Sequence, residues 1–231
     1  MSFQNEKGIK MNPNKICIII TYEDEITLES CIAYFNQQFI PEQFELELQT
    51  ILQGTNYFSV LKEILLRTDA KYRIFLNSNV FVLYPFLVDS CLNIFKRDKE
   101  IGMIGMSGTD HIPFDGLLWK TMKKDLILQK DVQPDYNNCR YSAEKDGYWE
   151  AKIIDDIFFM TSYEFEIRTD LFSDSYLIGG SIALEMQKKG YKIVIPNHCV
   201  PWISCDNRYF SLNGYGLSRK IFFDEYWNEL Y

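Results

Sequence analysis

The stretch KICIIIT, residues Lys15 to Thr21, decides the fold class of this chain. It is a continuous run of apolar, mostly β-branched residues that ends in a polar residue, and such a run predicts a strand buried on both faces in a parallel sheet. The next segment, Glu25 to Gln38, carries apolar residues at offsets of three, four and seven, with Asp24 as a candidate N-cap. These two patterns therefore predict a strand followed by an amphipathic helix.

The same alternation continues through the first half of the chain. The clearest helical face lies between Tyr57 and Leu65, and another helix is predicted from Phe86 to Phe95. Further strands are predicted from Phe44 to Leu52, from Tyr72 to Leu76 and from Ile101 to Met106. Alternation of this kind predicts an α/β three-layer sandwich, with a mainly parallel central sheet and helices on both faces.

We expect a single domain over the whole chain. Three parts lack clear periodicity, namely a polar N-terminal extension (1–14), a long loop or insertion (107–150) and an aromatic, irregular C-terminal tail (200–231). Between the last two, the pattern predicts a strand from Ile153 to Met160, a helix from Ser181 to Lys189 and a strand from Tyr191 to Ile195.

Charge and hydropathy exclude two classes of function. The net charge of −8 and the scattered Lys and Arg residues give no basic surface for nucleic acid. The apolar run from Ile16 to Ile20 is too short for a signal peptide or a transmembrane segment. We therefore expect a cytoplasmic protein that binds no nucleic acid.

The six cysteines show no CxxC pair and several fall at apolar positions of periodic segments, as reduced core cysteines do. A zinc site built from His198, Cys199 and Cys205 is a weaker alternative, because their spacing matches no known ligand pattern.

Ligands of open parallel sheets bind beyond the carboxyl ends of the strands. Four segments occupy such positions here: Thr21-Tyr22-Glu23, Gly54-Thr55-Asn56, Asn77-Ser78-Asn79 and the loop after Met106. No GxGxxG or Walker A sequence follows the first strand, so the common dinucleotide and triphosphate motifs are missing.

Several segments carry a resemblance to a known family. The opening ICIIITYEDEITLESCIAYFNQQ (16–38) resembles the start of family 2 glycosyltransferases. Four later segments follow in the order seen in a bacterial branch of that family: AKYRIFLNSNVFV (70–82), IGMIGMSG (101–108), IIDDIFFMTS (153–162) and MQKKGYKIVIP (186–196). The resemblance covers roughly Lys15 to Trp202 and implies a GT-A (Rossmann-like) fold with a nucleotide-sugar donor. The alternative is a generic α/β domain with similar strands.

The metal motif of the family is altered in this chain. In that family, the sequence at the end of the third strand resembles His-Gln-Asp-Val or Asp-x-Asp. This chain has Asn77, Ser78 and Asn79 at that position. An amide brings no negative charge to a hard divalent cation, so these residues disfavour Mg²⁺ or Mn²⁺ and the sequence indicates no definite cofactor. Both amides still offer hydrogen bonds to a ribose or a phosphate, or they simply close an Asx turn.

The catalytic base expected from the resemblance is also altered. Counting back from Gly190 places it at Ile178 and Gly179, which have no carboxylate, unless Asp174 or Glu185 takes its place. Asp155 matches the Asp of a Val-Asp-Gly segment in relatives, so Asp155 and Asp156 are the catalytic candidates. Because they are adjacent in the predicted strand, we expect them to point to opposite faces, so that only one of them faces the cleft. Alternatively, the pair merely marks a strand edge.

The resemblance suggests the donor-binding residues. The candidates are Thr21, Tyr22, Glu23, Asn56, Asn77, Asn79 and Arg208. Without a metal, the diphosphate needs another positive charge, which Arg208, Arg219 or Lys220 could supply.

The sequence thus leads to one hypothesis with two alternatives. The leading hypothesis is an inverting glycosyltransferase that transfers a sugar from a nucleotide sugar, a UDP-sugar by preference, to a saccharide or protein acceptor. The first alternative is a catalytically inactive subunit that supports a partner glycosyltransferase. The second is a metal-free nucleotide-binding domain outside this family.

Overall fold

A computed structural model describes residues 10–54, 57–112, 128–129, 147–165, 167–172, 176–206 and 214–230 of the chain. The helices are α1 (Glu25–Phe35), α2 (Tyr57–Arg67), α3 (Leu87–Arg97), α4 (Ile178–Lys188) and α5 (Tyr215–Leu230). The strands are β1 (Asn12–Tyr22), β2 (Glu45–Leu52), β3 (Ala70–Asn77), β4 (Val80–Val82), β5 (Ile101–Gly105), β6 (Gly108–Thr109), β7 (Leu128–Gln129), β8 (Tyr148–Glu150), β9 (Ile153–Ile154), β10 (Phe158–Thr161), β11 (Lys192–Pro196) and β12 (Ile203–Cys205).

Within the described residues, the central sheet has seven strands in the order β2-β1-β3-β10-β5-β11-β8. Strands β1, β2 and β3 pair in parallel, as do β5 and β11. Strand β10 is inserted between β3 and β5 and runs antiparallel to both, and β8 runs antiparallel to β11 at the far edge. The predicted mainly parallel α/β sheet is therefore confirmed.

Helices cover both faces of the sheet, and each face has its own apolar core. Cys17 and Ile19 of β1 pack with residues of α2, α4 and α5 on one face. Ile16, Ile18 and Ile20 of β1 pack with residues of α1 and α3 on the other. Strand β1 is thus buried on both faces, which is why its sequence is an unbroken apolar run.

Helix α5 is fastened to α4 by polar contacts as well as by apolar packing. The hydroxyl oxygens of Tyr226 and Ser181 lie 2.8 Å apart, and Lys188 pairs with Glu229 at 3.0 Å. The Arg168 guanidinium bridges the two helices, at 2.6 Å from Glu225 and 3.6 Å from Glu185.

Three expectations from the sequence need correction. The predicted strand from Ile153 to Met160 is two strands, β9 and β10, with a turn between them. The C-terminal segment expected to be an irregular tail contains β12 and the 16-residue helix α5. Within the predicted loop 107–150, the described residues include strands β6, β7 and β8. Most of the N-terminal extension lies outside the described residues.

None of the helices in the described part of the chain combines the length and apolar character that a bilayer span requires.

Gly105 provides a test of this packing. A Cβ atom at this position would overlap the side chain of Ile154, so β9 can lie against β5 only because residue 105 has no side chain. We expect Gly105→Ala to lower the free energy of unfolding by about 1–3 kcal/mol, the usual cost of overpacking. Thermal or denaturant unfolding would measure the change.

Gly216→Ala is the matched control for this variant. Gly216 lies in α5, and a Cβ atom added there would have no neighbour within 4 Å, so alanine should be neutral or slightly stabilising. Equal stability of Gly105→Ala and wild type would contradict the packing of Ile154 on Gly105.

Candidate functional site

The carboxyl ends of β1 and β3 lie side by side. Thr21 of β1 is in register with Asn77 of β3, and the Ser78 backbone N–H donates to the Thr21 carbonyl at 2.8 Å. Three of the predicted donor-binding residues, Thr21, Asn77 and Asn79, therefore lie around one strand end, as ligand-binding residues of open α/β sheets do.

The N-terminus of α1 meets this strand end through a chain of hydrogen bonds. Asp24 caps the helix, accepting from the Thr27 backbone N–H at 2.9 Å and from the Thr27 hydroxyl at 2.7 Å. The Ser78 hydroxyl lies 3.1 Å from Thr27 Oγ1 and is buried. Since the Thr27 proton points to Asp24, Ser78 donates to Thr27. The predicted N-cap is confirmed, and it also holds the Asn77–Asn79 turn.

Asn79 is paired with a residue that the sequence analysis did not select. The backbone N–H of Asp206 donates to the Asn79 carbonyl at 2.9 Å, and Asn79 Nδ2 donates to the Asp206 carbonyl at 3.2 Å. These bonds extend the antiparallel β4–β12 pairing by one residue. A buried aspartate therefore lies directly opposite Asn79.

One polar atom at this position is left unsatisfied. Oδ1 of Asn79 is buried, and no hydrogen-bond donor among the described residues reaches it. Buried amide oxygens normally have a partner, so this atom marks a place where a ligand or a cation would be stabilising.

The two catalytic candidates lie in the turn between β9 and β10. The Asp155 backbone N–H donates to the Ser107 carbonyl at 2.9 Å, and its Oδ1 accepts from the Asp156 N–H at 2.9 Å. The Asn77 N–H approaches the Ile157 carbonyl at 3.4 Å, which places the turn against the end of β3. The expectation that the two aspartates point to opposite faces of a strand is wrong, because neither lies in a strand.

The Asp156 carboxylate binds the N-terminus of α4. Its Oδ2 accepts from the Leu177 N–H at 2.6 Å and its Oδ1 from the Gly179 N–H at 2.5 Å. Helix N-termini favour a negative charge because their first N–H groups lack partners in the helix. A Cβ atom at Gly179 would lie 3.0 Å from Asp156 Oδ1, so glycine leaves room for this contact.

The contact between Asp156 and α4 lies at the position where the sequence lacks the expected catalytic base. Ile178 and Gly179, the positions predicted for the base, form the start of α4, and Asp156 supplies a carboxylate there from another segment. Glu185, the other candidate within the described residues, instead pairs with Arg168 and Lys188. Asp174 lies outside the described residues.

Tyr57 connects the strand end to the aspartate turn. It is the first residue of α2 and is buried, and burial raises the pKa of its phenol to about 12. A hydrogen bond with Thr21 opposes this rise, and the negative charge of Asp156 adds to it. Tyr57 is therefore a neutral hydrogen-bonding group at neutral pH, within electrostatic reach of Asp156.

The remaining candidates are less well defined by the structure. Tyr22 is partly buried and Glu23 is exposed, and both directly follow Thr21. Arg219 and Lys220 lie in the first turns of α5. Asn56 and Arg208 lie outside the described residues.

The described residues fit a weakly held divalent cation better than a tightly held one. They contain no cluster of three His, Cys, Asp or Glu side chains suited to a metal ion. Among the described residues, Asp206, whose backbone pairs with that of Asn79, and the unsatisfied Asn79 amide oxygen are nevertheless candidates for holding such an ion. Mg²⁺ is commonly held by one or two carboxylates together with substrate phosphates, so this pair is sufficient only when a phosphate is present.

The geometry defines the class of protein. A mainly parallel α/β sheet with polar groups gathered at the ends of β1 and β3 is typical of nucleotide-binding folds. A family model described as "Glycosyltransferase like family" matches residues 17–226. The chain belongs to this glycosyltransferase-like family.

One solved structure shares the fold of this chain, and a second shows a weaker likeness. GalNAc-T7 with UDP, GalNAc and Mn²⁺ matches with a TM-score of 0.57 and 10% identity, covering 95% of this chain and 50% of that one. The mannosyltransferase PcManGT from Pyrobaculum calidifontis, in complex with GDP-Man and Mn²⁺, matches with a TM-score of 0.49 and 14% identity, covering 84% of this chain and 56% of that one. The family match and the likeness to GalNAc-T7 give the chain a GT-A fold. The chain spans about half the length of the two structures. No curated protein sequence matches it.

Three residues of the site were missed from sequence. Asp206 lies in the segment taken for an irregular tail, Tyr57 was assigned only to a helical face, and Thr27 gave no signal in the sequence. Each is defined by contacts between distant segments, such as Asn79 with Asp206 and Thr27 with Ser78.

The Asp24 cap predicts a pH dependence of stability. The Thr27 backbone N–H and hydroxyl hold the pKa of Asp24 below its usual range. A carboxyl whose pKa is lower in the folded state stabilises the fold above its unfolded pKa of about 3.9, and this contribution is lost as the pH falls through the folded value. We expect Asp24→Ala to lower the melting temperature at pH 6 and to have a smaller effect at pH 3.

Thermal unfolding at the two pH values measures this difference. Asp224→Asn, at an exposed position in α5, is the control and should show little effect at either pH. An Asp24→Ala effect of the same size at both pH values would mean that the ionised carboxylate is not the stabilising group.

Proposed function

We propose that this protein is a glycosyltransferase that transfers a sugar from a nucleotide-sugar donor to a saccharide or protein acceptor with inversion. The observation that carries the proposal is the meeting of the β1 and β3 ends with the Asp155–Asp156 turn. This arrangement places carboxylates beside the strand ends where nucleotides bind in α/β folds. UDP is the preferred donor nucleotide, since GalNAc-T7, which shares the fold, was solved with UDP.

The donor is proposed to bind across the end of β1 and the Asn77–Asn79 turn. Thr21, Tyr22 and Glu23 would contact the nucleoside, and Asn77 and Asn79 the ribose or diphosphate. Tyr22 supplies a ring for stacking on the base, and an amide NH₂ donates to phosphate or hydroxyl oxygens. Asn56 and Arg208 are further candidates for this contact.

A divalent cation, if bound, would be held by Asp206 and the amide oxygen of Asn79. It would neutralise part of the diphosphate charge and so help the nucleotide to leave. Because only one carboxylate is present in this pair, we propose that Mg²⁺ or Mn²⁺ binds weakly without the donor and strengthens donor binding moderately.

The two aspartates are proposed to have different roles. Asp155 would accept the proton of the acceptor hydroxyl as it attacks the anomeric carbon. Asp156, with both oxygens engaged by the N-terminus of α4, would act as a positioning residue that fixes the turn. A general base must accept a proton from the acceptor hydroxyl, and both oxygens of Asp156 already accept from backbone N–H groups, so we propose Asp155 for this role.

An inactive accessory subunit is the less favoured hypothesis. Its basis is that residues 79 and 179 are not carboxylates in this chain. Asp156 brings a carboxylate to the start of α4 from another segment, and the backbone of Asp206 pairs with that of Asn79, which supports retained chemistry.

Calorimetric titration with UDP and UDP-sugars, with and without Mn²⁺, tests donor binding. We expect binding without metal and tighter binding with it. Asp206→Asn should reduce affinity in the presence of Mn²⁺ by about tenfold or more, or about 1.4 kcal/mol. It should change metal-free binding little.

Asp224→Asn on α5 is the charge-matched control for this titration. Binding that requires Mn²⁺ absolutely would contradict the proposed role of the two asparagines. Failure to bind UDP, GDP and their sugars under any condition would overturn the proposed function.

Turnover of the donor separates the two aspartates. We expect Asp155→Asn to lower kcat about 10²- to 10⁴-fold, the range for loss of a general base, with little change in melting temperature. Asp156→Asn should lower the melting temperature, because its NH₂ group would face one of the two backbone N–H donors. Donor hydrolysis and thermal unfolding of the same preparations provide both measurements.

The opposite result would exchange the roles. If Asp155→Asn keeps full turnover while a folded Asp156→Asn variant is inactive, the base is Asp156.

A further inference from the structure

Strand β2 forms an open edge of the central sheet. It is the terminal strand of the sheet order, and within the described ranges it pairs only with β1. The pairing is continuous from Glu45 to Leu52, with no bulge. An eight-residue edge strand of this kind presents a regular row of backbone groups to any strand that can pair with it.

One face of β2 is apolar and uncovered. Leu46, Leu48 and Leu52 point to the same face and are 45%, 46% and 41% exposed. On the neighbouring strand, Ile16 and Ile18 of the same face are buried in the core shared with α1. Helix α1 packs over β1 and β4, and Leu46 and Leu48 of β2 remain nearly half exposed.

The strand lacks the features that protect sheet edges in monomeric proteins. Its sequence, ELELQTIL, contains no proline and no lysine. Its two acidic residues lie on the opposite face from the leucines, and Glu47 is already paired with Lys15 at 3.0 Å. The leucine face therefore carries no charge that would prevent a second strand from pairing.

We propose that β2 pairs with β2 of a second copy of this chain, antiparallel about a two-fold axis near Gln49, to form a dimer with a continuous fourteen-stranded sheet. In this register Leu46 lies opposite Leu52, and Leu48 lies opposite Thr50. On the other face Glu47 lies opposite Ile51. Directly opposite residues share a face, so the leucines of both copies meet, and no like charges oppose each other.

The charge distribution selects the antiparallel arrangement. Glu42 and Glu45 are exposed at the start of the strand. Antiparallel pairing separates these acidic ends by about 24 Å, the length of the strand. This exceeds the Debye length of about 8 Å at physiological salt, whereas a parallel partner would place them side by side. A two-fold contact also uses each edge once, so assembly stops at the dimer.

Sedimentation velocity on the full chain, from about 1 µM to 100 µM, tests the proposal. We expect a concentration-dependent shift from monomer to dimer. Higher salt should favour the dimer, because each copy carries a net charge of −8. Leu48→Lys should raise the dissociation constant at least about tenfold, because each lysine would place a charge opposite Thr50 of the partner strand and diagonal to the second lysine.

Leu217→Lys is the matched control. Leu217 is 61% exposed on α5, outside the proposed interface, so this variant should dimerise like wild type. Melting temperatures of both variants show whether they fold. Hydrogen exchange should also show β2 amides that become protected at high concentration in wild type and not in Leu48→Lys.

Several results would overturn the dimer. One is a wild-type protein that stays monomeric over the whole concentration range. Protected β2 amides in such a monomer would mean that another part of the same chain covers the edge of β2. A folded Leu48→Lys variant that dimerises like wild type would also exclude this interface, as would open-ended polymers instead of dimers.

Discussion

The reversed strand β10 is the constraint on which the candidate site depends. It pairs antiparallel with β3 on one side and β5 on the other, so its first residue lies at the end of the sheet where β1 and β3 terminate. The turn that leads into β10 therefore lies at that end of the sheet, and this turn carries Asp155 and Asp156. In a fully parallel sheet, this strand would start at the opposite end of the sheet, where β1 and β3 begin.

Backbone groups hold two charged side chains of the site in place. Asp24 is fixed by the first turn of α1 and Asp156 by the first turn of α4, and the backbone N–H of Asp206, directly after β12, donates to the Asn79 carbonyl. Two of these three sites are helix N-termini, where a carboxylate is stabilised without a cationic partner. A protein with a net negative charge can therefore keep several acidic groups in one region.

The fold was predictable from local patterns, whereas much of the site was not. The apolar run of β1, the helical face of Tyr57 to Leu65 and the Asp24 cap are signals within short segments, and the structure confirms them. The split of Ile153 to Met160 into two strands was missed because its apolar residues are nearly continuous. Asp206 was missed because its importance comes from pairing with Asn79, which is 127 residues away. No window of sequence contains that contact.

The attachment of α5 to α4 has a consequence for synthesis of the protein. The first turn of α4 receives the Asp156 carboxylate, and α4 itself is buried in part by α5 through Phe222 and Tyr226. Because α5 is translated after every other described element, a nascent chain on the ribosome can assemble its sheet before α4 has its final support. The start of α4, which holds the Asp156 carboxylate, thus gains its final support only after α5 has been synthesised.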